Sequence, residues 1–409
     1  MLRVKPQAEG QAPLPYGRQV IEDDDIAAVA AALQGDYLTT GPLTQRFEAE
    51  FAKTVGAREA VVCANGTAAL HLAARALGLG EGKTVIVSAL TFLASANAMR
   101  LNGAEVLFAD VNPDTGLMEP AHLDAALAQL PEGKADGVVS VYLNGQCPDV
   151  PALASLARKR GLKIVEDAAH AVGTIYSDAA GVTYRVGAGA HADLTCFSFH
   201  PVKTIAMGEG GAITAYDRAL ARAMRKDRSH GMTRDAAEFV NPDSFDPAGA
   251  PNPWSYEMPE PGFNYRSSDI HCALGLSQLQ KLDRFIARRR ALVAEYDHWL
   301  TDFHPALKPL ARTARCEPAW HLYVVLINFE ALGTDRAAIM RRLSAEGIHT
   351  QVHYYPVHRQ PYYVARYGCA PLPGADAYYA RALSLPLFPA MDARDVKRVV
   401  DALTRAFKG

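Results

Sequence analysis

No apolar run in the 409-residue chain is long enough to span a bilayer, so no membrane partner is expected. Met1 to Pro13 is polar and lacks the apolar core of an export signal, which makes a cytoplasmic setting the expectation. The six cysteines (Cys63, Cys147, Cys196, Cys272, Cys316, Cys369) are scattered and form no Cys-x-x-Cys pair. A zinc site and a disulfide framework are therefore poor readings, and no metal is expected. Charge of one sign is missing too. Lys+Arg number 42 against 44 Asp+Glu, a net charge of -2, so nothing points to nucleic acid or to a charged tail. Repeats and low-complexity tracts are absent. What remains is ordinary globular composition, 49% hydrophobic and 21% charged, with enough chain for two sizeable cores.

The organising pattern is an alternation. Apolar spacing predicts a helix over Glu22–Leu33 and another through Phe47 and Phe51. Short strands at Val61–Cys63, Val85–Val87, Val106–Asp110, Val138–Leu143 and Leu162–Asp167 then alternate with helices at Ala68–Leu77, Thr91–Leu101, Pro120–Leu130 and Val150–Arg160. Repeated strand–helix units imply an α/β fold with a mainly parallel sheet covered on both faces. Ligands in such sheets collect at the carboxyl ends of the strands. Asp235–Gly262 is Pro-rich and aperiodic. Asp269 to about Leu300 is expected to be one long helix leading into a smaller C-terminal α/β domain, with a strand at Leu322–Ile327, a helix at Arg336–Glu346 and a strand around Gln351–His353. The division expected is a large domain over 15–265, then a linking helix and small domain over 266–409.

Three strand ends carry chemistry. Leu194–Phe199 is a buried-strand pattern stopped by His200-Pro201, and Lys203 follows at its mouth, before Gly208-Glu-Gly-Gly211. A lysine there loses part of its solvent shell and becomes a nucleophilic amine. Asn65-Gly66-Thr67 joins a strand to a helix, where free N–H groups and the helix dipole favour phosphate, although many helices begin with such residues as simple caps. Glu166 and Asp167 end a third strand on opposite faces, so at most one of them enters a given pocket. Phe92 is either a core aromatic or a stacking platform for a flat ring. A phosphate cradle, a stacking ring, a carboxylate for a pyridinium nitrogen and an amine for a Schiff base are together the requirements of pyridoxal 5′-phosphate.

Four motifs carry a family resemblance: Asn65-Gly66-Thr67-Ala-Ala-Leu-His71, Glu166-Asp167-Ala-Ala-His170, Ser198-Phe-His-Pro-Val-Lys203 with Gly208-Glu-Gly-Gly211, and Gly262-Phe-Asn264-Tyr-Arg266. From Pro15 onward the chain resembles the sugar aminotransferases of the DegT/DnrJ/EryC1/StrS family, which have the aspartate-aminotransferase-type fold (PLP-dependent transferase fold type I). The resemblance implies that Lys203 carries the cofactor, Asp167 holds its ring nitrogen and Phe92 stacks on its ring. It implies that Gly66, Thr67 and Ser198 bind the phosphate and that His170 stands near the ring hydroxyl. Asn264 is implied to reach across a homodimer interface to the partner's cofactor, making shared active sites.

Pro15-Tyr16-Gly-Arg-Gln19, Tyr37-Leu-Thr-Thr-Gly-Pro42, Ser229-His-Gly-Met-Thr-Arg234 and Trp254-Ser-Tyr-Glu-Met258 resemble segments of the aminotransferases of pseudaminic acid synthesis, though enzymes of perosamine and bacillosamine type share several of them. This implies glutamate as donor and a UDP-linked 4-keto-6-deoxy-N-acetylhexosamine as acceptor. The aromatics of 235–261 are expected to border the nucleotide-sugar pocket, of this subunit or its partner, or to pack at the dimer interface. His321, Tyr323 and His353 receive no role, because a lone histidine is more often structural.

Overall fold

The computed structural model describes residues 12–408. Two helices, α1 (Asp23–Leu33) and α2 (Pro42–Val55), precede the alternation β1 (Glu59–Cys63), α3 (Gly66–Ala76), β2 (Thr84–Ser88), α4 (Leu93–Leu101), β3 (Glu105–Ala109), α5 (Pro120–Leu127), β4 (Gly137–Val141), α6 (Val150–Lys159) and β5 (Lys163–Asp167). After a short hairpin of β6 (Ile175–Ser177) and β7 (Thr183–Arg185) come β8 (Leu194–Ser198), β9 (Gly211–Ala215) and α7 (Arg218–Asp227). The later chain forms α8 (Asp269–Leu279), α9 (Leu282–Leu300), β10 (Leu307–Pro309), β11 (Cys316–Glu317), β12 (Tyr323–Ile327), α10 (Arg336–Ala345), α11 (Pro361–Tyr367), α12 (Pro373–Arg381), β13 (Ala382–Leu385) and α13 (Ala393–Lys408).

The main sheet has seven strands in the order β1-β9-β8-β5-β4-β2-β3. The neighbours from β8 through β3 are all parallel, and β9 runs against both β8 and β1. The expected mainly parallel α/β architecture is therefore present. Its two cores follow from strand alternation. Val61, Cys63, Leu194 and Cys196 face one core. Ala60, Val62, Phe197 and Phe199 face the other, where Phe51 meets Phe197 and Phe199 edge to face at 5.1 and 5.2 Å. Side-chain caps explain several helix starts: Asn65 accepts from the Ala68 N–H at 2.9 Å, and Asp149, Asp217, Ser268 and Asp335 do the same for later helices.

A second core surrounds the three-stranded antiparallel sheet β10-β12-β13. Leu14 joins this core from the other end of the chain. It forms a parallel bridge with Ile348, its N–H donating to the Gly347 carbonyl at 2.8 Å. Arg289 of α9 is fully buried between the cores and donates to the carbonyls of Trp320, His321 and Leu387.

Some expectations are corrected. The single helix expected over Asp269–Leu300 is two, because Gln278 and Lys281 turn their side chains onto Asp25 of α1, and the Lys281 amine also reaches Asp24. The expected strand around Gln351–His353 is a single bridge from Gln351 to Ser384, after which the chain leaves the sheet edge. Strands β9 and β13 and helices α7 and α13 were not anticipated. All six cysteines are free, and the Cys147 and Cys316 sulfurs lie 3.3 Å apart.

Phe51→Ala empties the centre of the aromatic cluster. It is expected to destabilise the protein by about 3–5 kcal/mol, and Phe51→Leu by less than half of that. Equilibrium denaturation followed by near-ultraviolet circular dichroism checks both.

Candidate active site

The connections leaving the carboxyl ends of β1, β2, β4, β5 and β8 converge on one cleft of about 740 Å³. Gly66, Thr67, Phe92, Asp167, His170, Ser198 and Lys203 all line it. All seven lie at the carboxyl end of a strand or in the connection that follows one, so the sheet order itself gathers residues far apart in sequence.

Lys203 sits in the β8–β9 connection, which is tied back on itself: its own N–H donates to the His200 carbonyl at 2.8 Å, and the Met207 N–H to the Phe199 carbonyl at 2.9 Å. The side chain is partly open to the cleft, as a reacting amine has to be. Burial pushes its amine down to about 8, against the opposing pull of Asp167. Asp167 is enclosed at the end of β5, and burial pushes its carboxyl up. The Ser95 hydroxyl at 2.5 Å, the Ala169 N–H at 3.1 Å and the positive charge of Lys203 work the other way. Glu166 points to the opposite face and accepts from Thr195 at 2.6 Å, as the alternation predicts.

His170 is held from both sides. The Asn144 N–H donates to its Nδ1 at 3.3 Å, which leaves the ring proton on Nε2, 3.2 Å from the Tyr354 hydroxyl. Burial, then Lys203, keeps it neutral, well below its ordinary range. Phe92 caps the start of α4 with its backbone, and its ring is 56% exposed, which leaves a face free for stacking. At Gly66 a Cβ would sit 2.9 Å from the Ser198 Cβ and 3.2 Å from its Oγ, so only glycine lets the first turn of α3 close on Ser198. That cradle, open to the helix N-terminus, fits a phosphate. With the stacking face, the buried carboxylate and the amine, the residues fit pyridoxal 5′-phosphate.

Asn264 is not among the cleft residues. It lies exposed on the surface beside Ser229. Trp254 is 72% exposed, and none of the aromatics of 235–261 lines this chain's cleft. Their loop is shaped by Glu257, which accepts from the Val240 and Asn241 N–H groups and from Ser244. His353, left without a role by its sequence, stands in the cleft wall with Nδ1 2.8 Å from Ser384 Oγ, and burial pushes it down to about 3. His321 lies beneath His170, ring centres 4.3 Å apart. Tyr323 is elsewhere, donating to Asp297 in the second core. Thr91, Ser95, Tyr16 and Tyr354 were missed. Tyr354 adjoins His353, itself read as a lone structural histidine, whereas a serine in the apolar start of α4 gives no outward signal.

The model of the DegT/DnrJ/EryC1/StrS aminotransferase family matches residues 19–404. The chain belongs to that family. It is 38% identical over 399 residues to the Bacillus subtilis spore coat polysaccharide biosynthesis protein SpsC, covering 97% of each chain. Among solved structures it is similar to Helicobacter pylori PseC, an aminotransferase involved in the biosynthesis of pseudaminic acid, with a TM-score of 0.86, 27% identity and coverage of 97% of this chain and 99% of that one. It is also similar to the PLP-form of the putative sugar aminotransferase Spr1654 from Streptococcus pneumoniae, with a TM-score of 0.84, 26% identity and coverage of 97% and 99%. The protein is an aminotransferase, and its cofactor is pyridoxal 5′-phosphate.

An amine with a pKa of about 8 is about a tenth neutral at pH 7, against a few parts in ten thousand for an ordinary lysine. The neutral form is the one that attacks an aldehyde. The rate at which cofactor-free protein captures pyridoxal 5′-phosphate is therefore expected to rise about tenfold per pH unit below 8 and to level off above it. Asp167→Asn removes the charge that favours the ammonium, so its profile should level off at lower pH. Stopped-flow absorbance between pH 6 and 10 checks both, and a rise continuing past pH 10 would contradict the burial of this amine.

Proposed function

We propose that the protein transfers the amino group of glutamate to C4 of a UDP-linked 4-keto-6-deoxy-N-acetylhexosamine, as a homodimer with shared active sites. The observation that carries the reaction is the placement of a readily deprotonated Lys203 and an enclosed Asp167 in a single cleft. When bound, the cofactor supplies an electron sink. Gly66, Thr67 and Ser198 anchor its phosphate. Asp167 keeps the proton on its ring nitrogen, Phe92 covers its face and His170 donates toward its ring oxygen. With the cofactor held there, Lys203 would act as general acid and base, taking a proton from the donor's α-carbon and later delivering one to C4 of the sugar.

The choice of sugar rests on the likeness to PseC and on the secondary motifs at Tyr37–Pro42, Ser229–Arg234 and Trp254–Met258. Similarity to DesI, solved in the presence of its TDP-sugar product, with a TM-score of 0.81 and 31% identity, favours a second reading in which another nucleotide-linked 4-keto sugar, of perosamine or bacillosamine type, is the acceptor. A cofactor-binding regulator without catalysis on the same fold would be set apart by the absence of spectral turnover of the cofactor with glutamate. The exposed Asn264 suits a contact with the partner's cofactor, and the exposed Trp254 and Tyr256 suit the rim of the partner's cleft.

Amination of a panel of UDP- and TDP-linked 4-keto sugars, with glutamate as donor, should give the highest kcat/KM for the UDP-linked N-acetylated 6-deoxy sugar. A preference for TDP sugars would favour the second reading, and no turnover with any would sink both. Mixing Lys203→Ala with Asn264→Ala protomers should recover activity, because one site of each mixed dimer carries both lesions and the other neither. Mixtures as inactive as the parents, with subunit exchange demonstrated, would mean unshared sites.

A further inference from the structure

Asp167 lies in the cleft floor with no charged partner in contact: among the described residues no Lys, Arg or His nitrogen comes within ion-pair distance of it. A carboxyl group so enclosed reverts to its neutral form unless donors compensate. Two neutral donors do so, one on each oxygen. The Ala169 N–H reaches Oδ1 at 3.1 Å, and the Ser95 hydroxyl reaches Oδ2 at 2.5 Å.

Ser95 is itself fully buried, and its oxygen also lies 2.5 Å from Thr91 Oγ1. A hydroxyl has one proton to give. If Ser95 donates to Asp167, the contact with Thr91 requires Thr91 to donate to Ser95, and the chain runs in one direction from Thr91 through Ser95 to the carboxylate. A protonated Asp167 would reverse it, leaving Ser95 to donate to Thr91 or to the Phe92 carbonyl, 3.5 Å away. The polarity of the chain is thus tied to whether Oδ2 of Asp167 carries a proton. Both hydroxyls belong to the turn that opens α4 and presents the Phe92 ring, so one turn of five residues sets the stacking face and steadies the carboxylate below it.

We propose that Thr91 and Ser95 are positioning residues that hold Asp167 ionised and aimed at the cofactor's ring nitrogen. The proposal rests on Asp167 being the partner of that nitrogen, and the test separates the two. Fluorescence titration of the cofactor-free protein compares pyridoxamine 5′-phosphate with the analogue whose ring nitrogen is replaced by C–H. Wild-type protein should prefer the nitrogen compound. Ser95→Ala should reduce that preference about tenfold, the scale of one hydrogen bond to a charged group, without weakening binding of the carbon analogue. Ser95→Thr, which keeps the hydroxyl, should restore it, and Thr91→Val should reduce it in the same direction by less. Absence of any preference in the wild type would overturn the role of Asp167. A wild-type preference that survives intact in Ser95→Ala, or an equal loss for both compounds, would overturn the role of Ser95. If Ser95→Ala does not fold, Thr91→Val decides the question by the same comparison.

Discussion

The site depends on withholding water from two opposite charges. Lys203 and Asp167 stand at the ends of neighbouring strands, β8 and β5, and burial moves each toward its neutral form while their mutual attraction moves each back. That balance makes the lysine reactive near neutral pH and keeps a carboxylate where water would otherwise screen it. It requires a rigid floor. Beneath β8 the floor is the cluster of Phe47, Phe51, Phe197 and Phe199, and the lysine's connection is pinned by backbone hydrogen bonds at both ends. The reacting amine therefore moves on its own four-carbon stem, not with the loop.

The two cores meet at the same place. Arg289 holds the carbonyls of Trp320 and His321, and His321 lies under His170. The His321 N–H in turn donates to the Asn144 carbonyl, and the Asn144 N–H orients the His170 ring. A buried cation between the cores thus reaches the cofactor's side through backbone and two tilted histidine rings in contact, with no carboxylate in the path.

How much of this was legible depends on how local the signal was. Lys203 stood out because Pro201 ends an apolar strand and glycines follow. Gly66 and Asp167 stood out because each ends a short strand in a repeating strand–helix alternation. Direction in a sheet leaves no such mark: Gly211–Ala215 is as apolar as its parallel neighbours, and it runs against them because the chain turns straight back through the connection carrying Lys203, with no crossover helix. The break at Gln280 and Lys281 was hidden because its cause, Asp25, lies some 250 positions away. Ser95 was hidden because one polar residue in an apolar helix start takes its meaning from a strand end 72 positions later. Asn264 and Trp254 were legible as reaching outward, and both are exposed.

The bridge between Leu14 and Ile348 has a consequence for how the molecule is made. Most of the sheet pairs segments that leave the ribosome within one or two strand–helix units of each other. Leu14, by contrast, has no place to dock until the segment carrying Gly347 and Ile348 has emerged, and then it enters a core completed by α13, at the far end of the chain. A segment synthesised early is therefore among the last to be buried, and the seam it closes is of high sequence separation, the slow kind of contact to form. During synthesis Leu14 waits without its backbone partner and outside the core it will enter, so here the direction of translation and the direction of assembly are opposed.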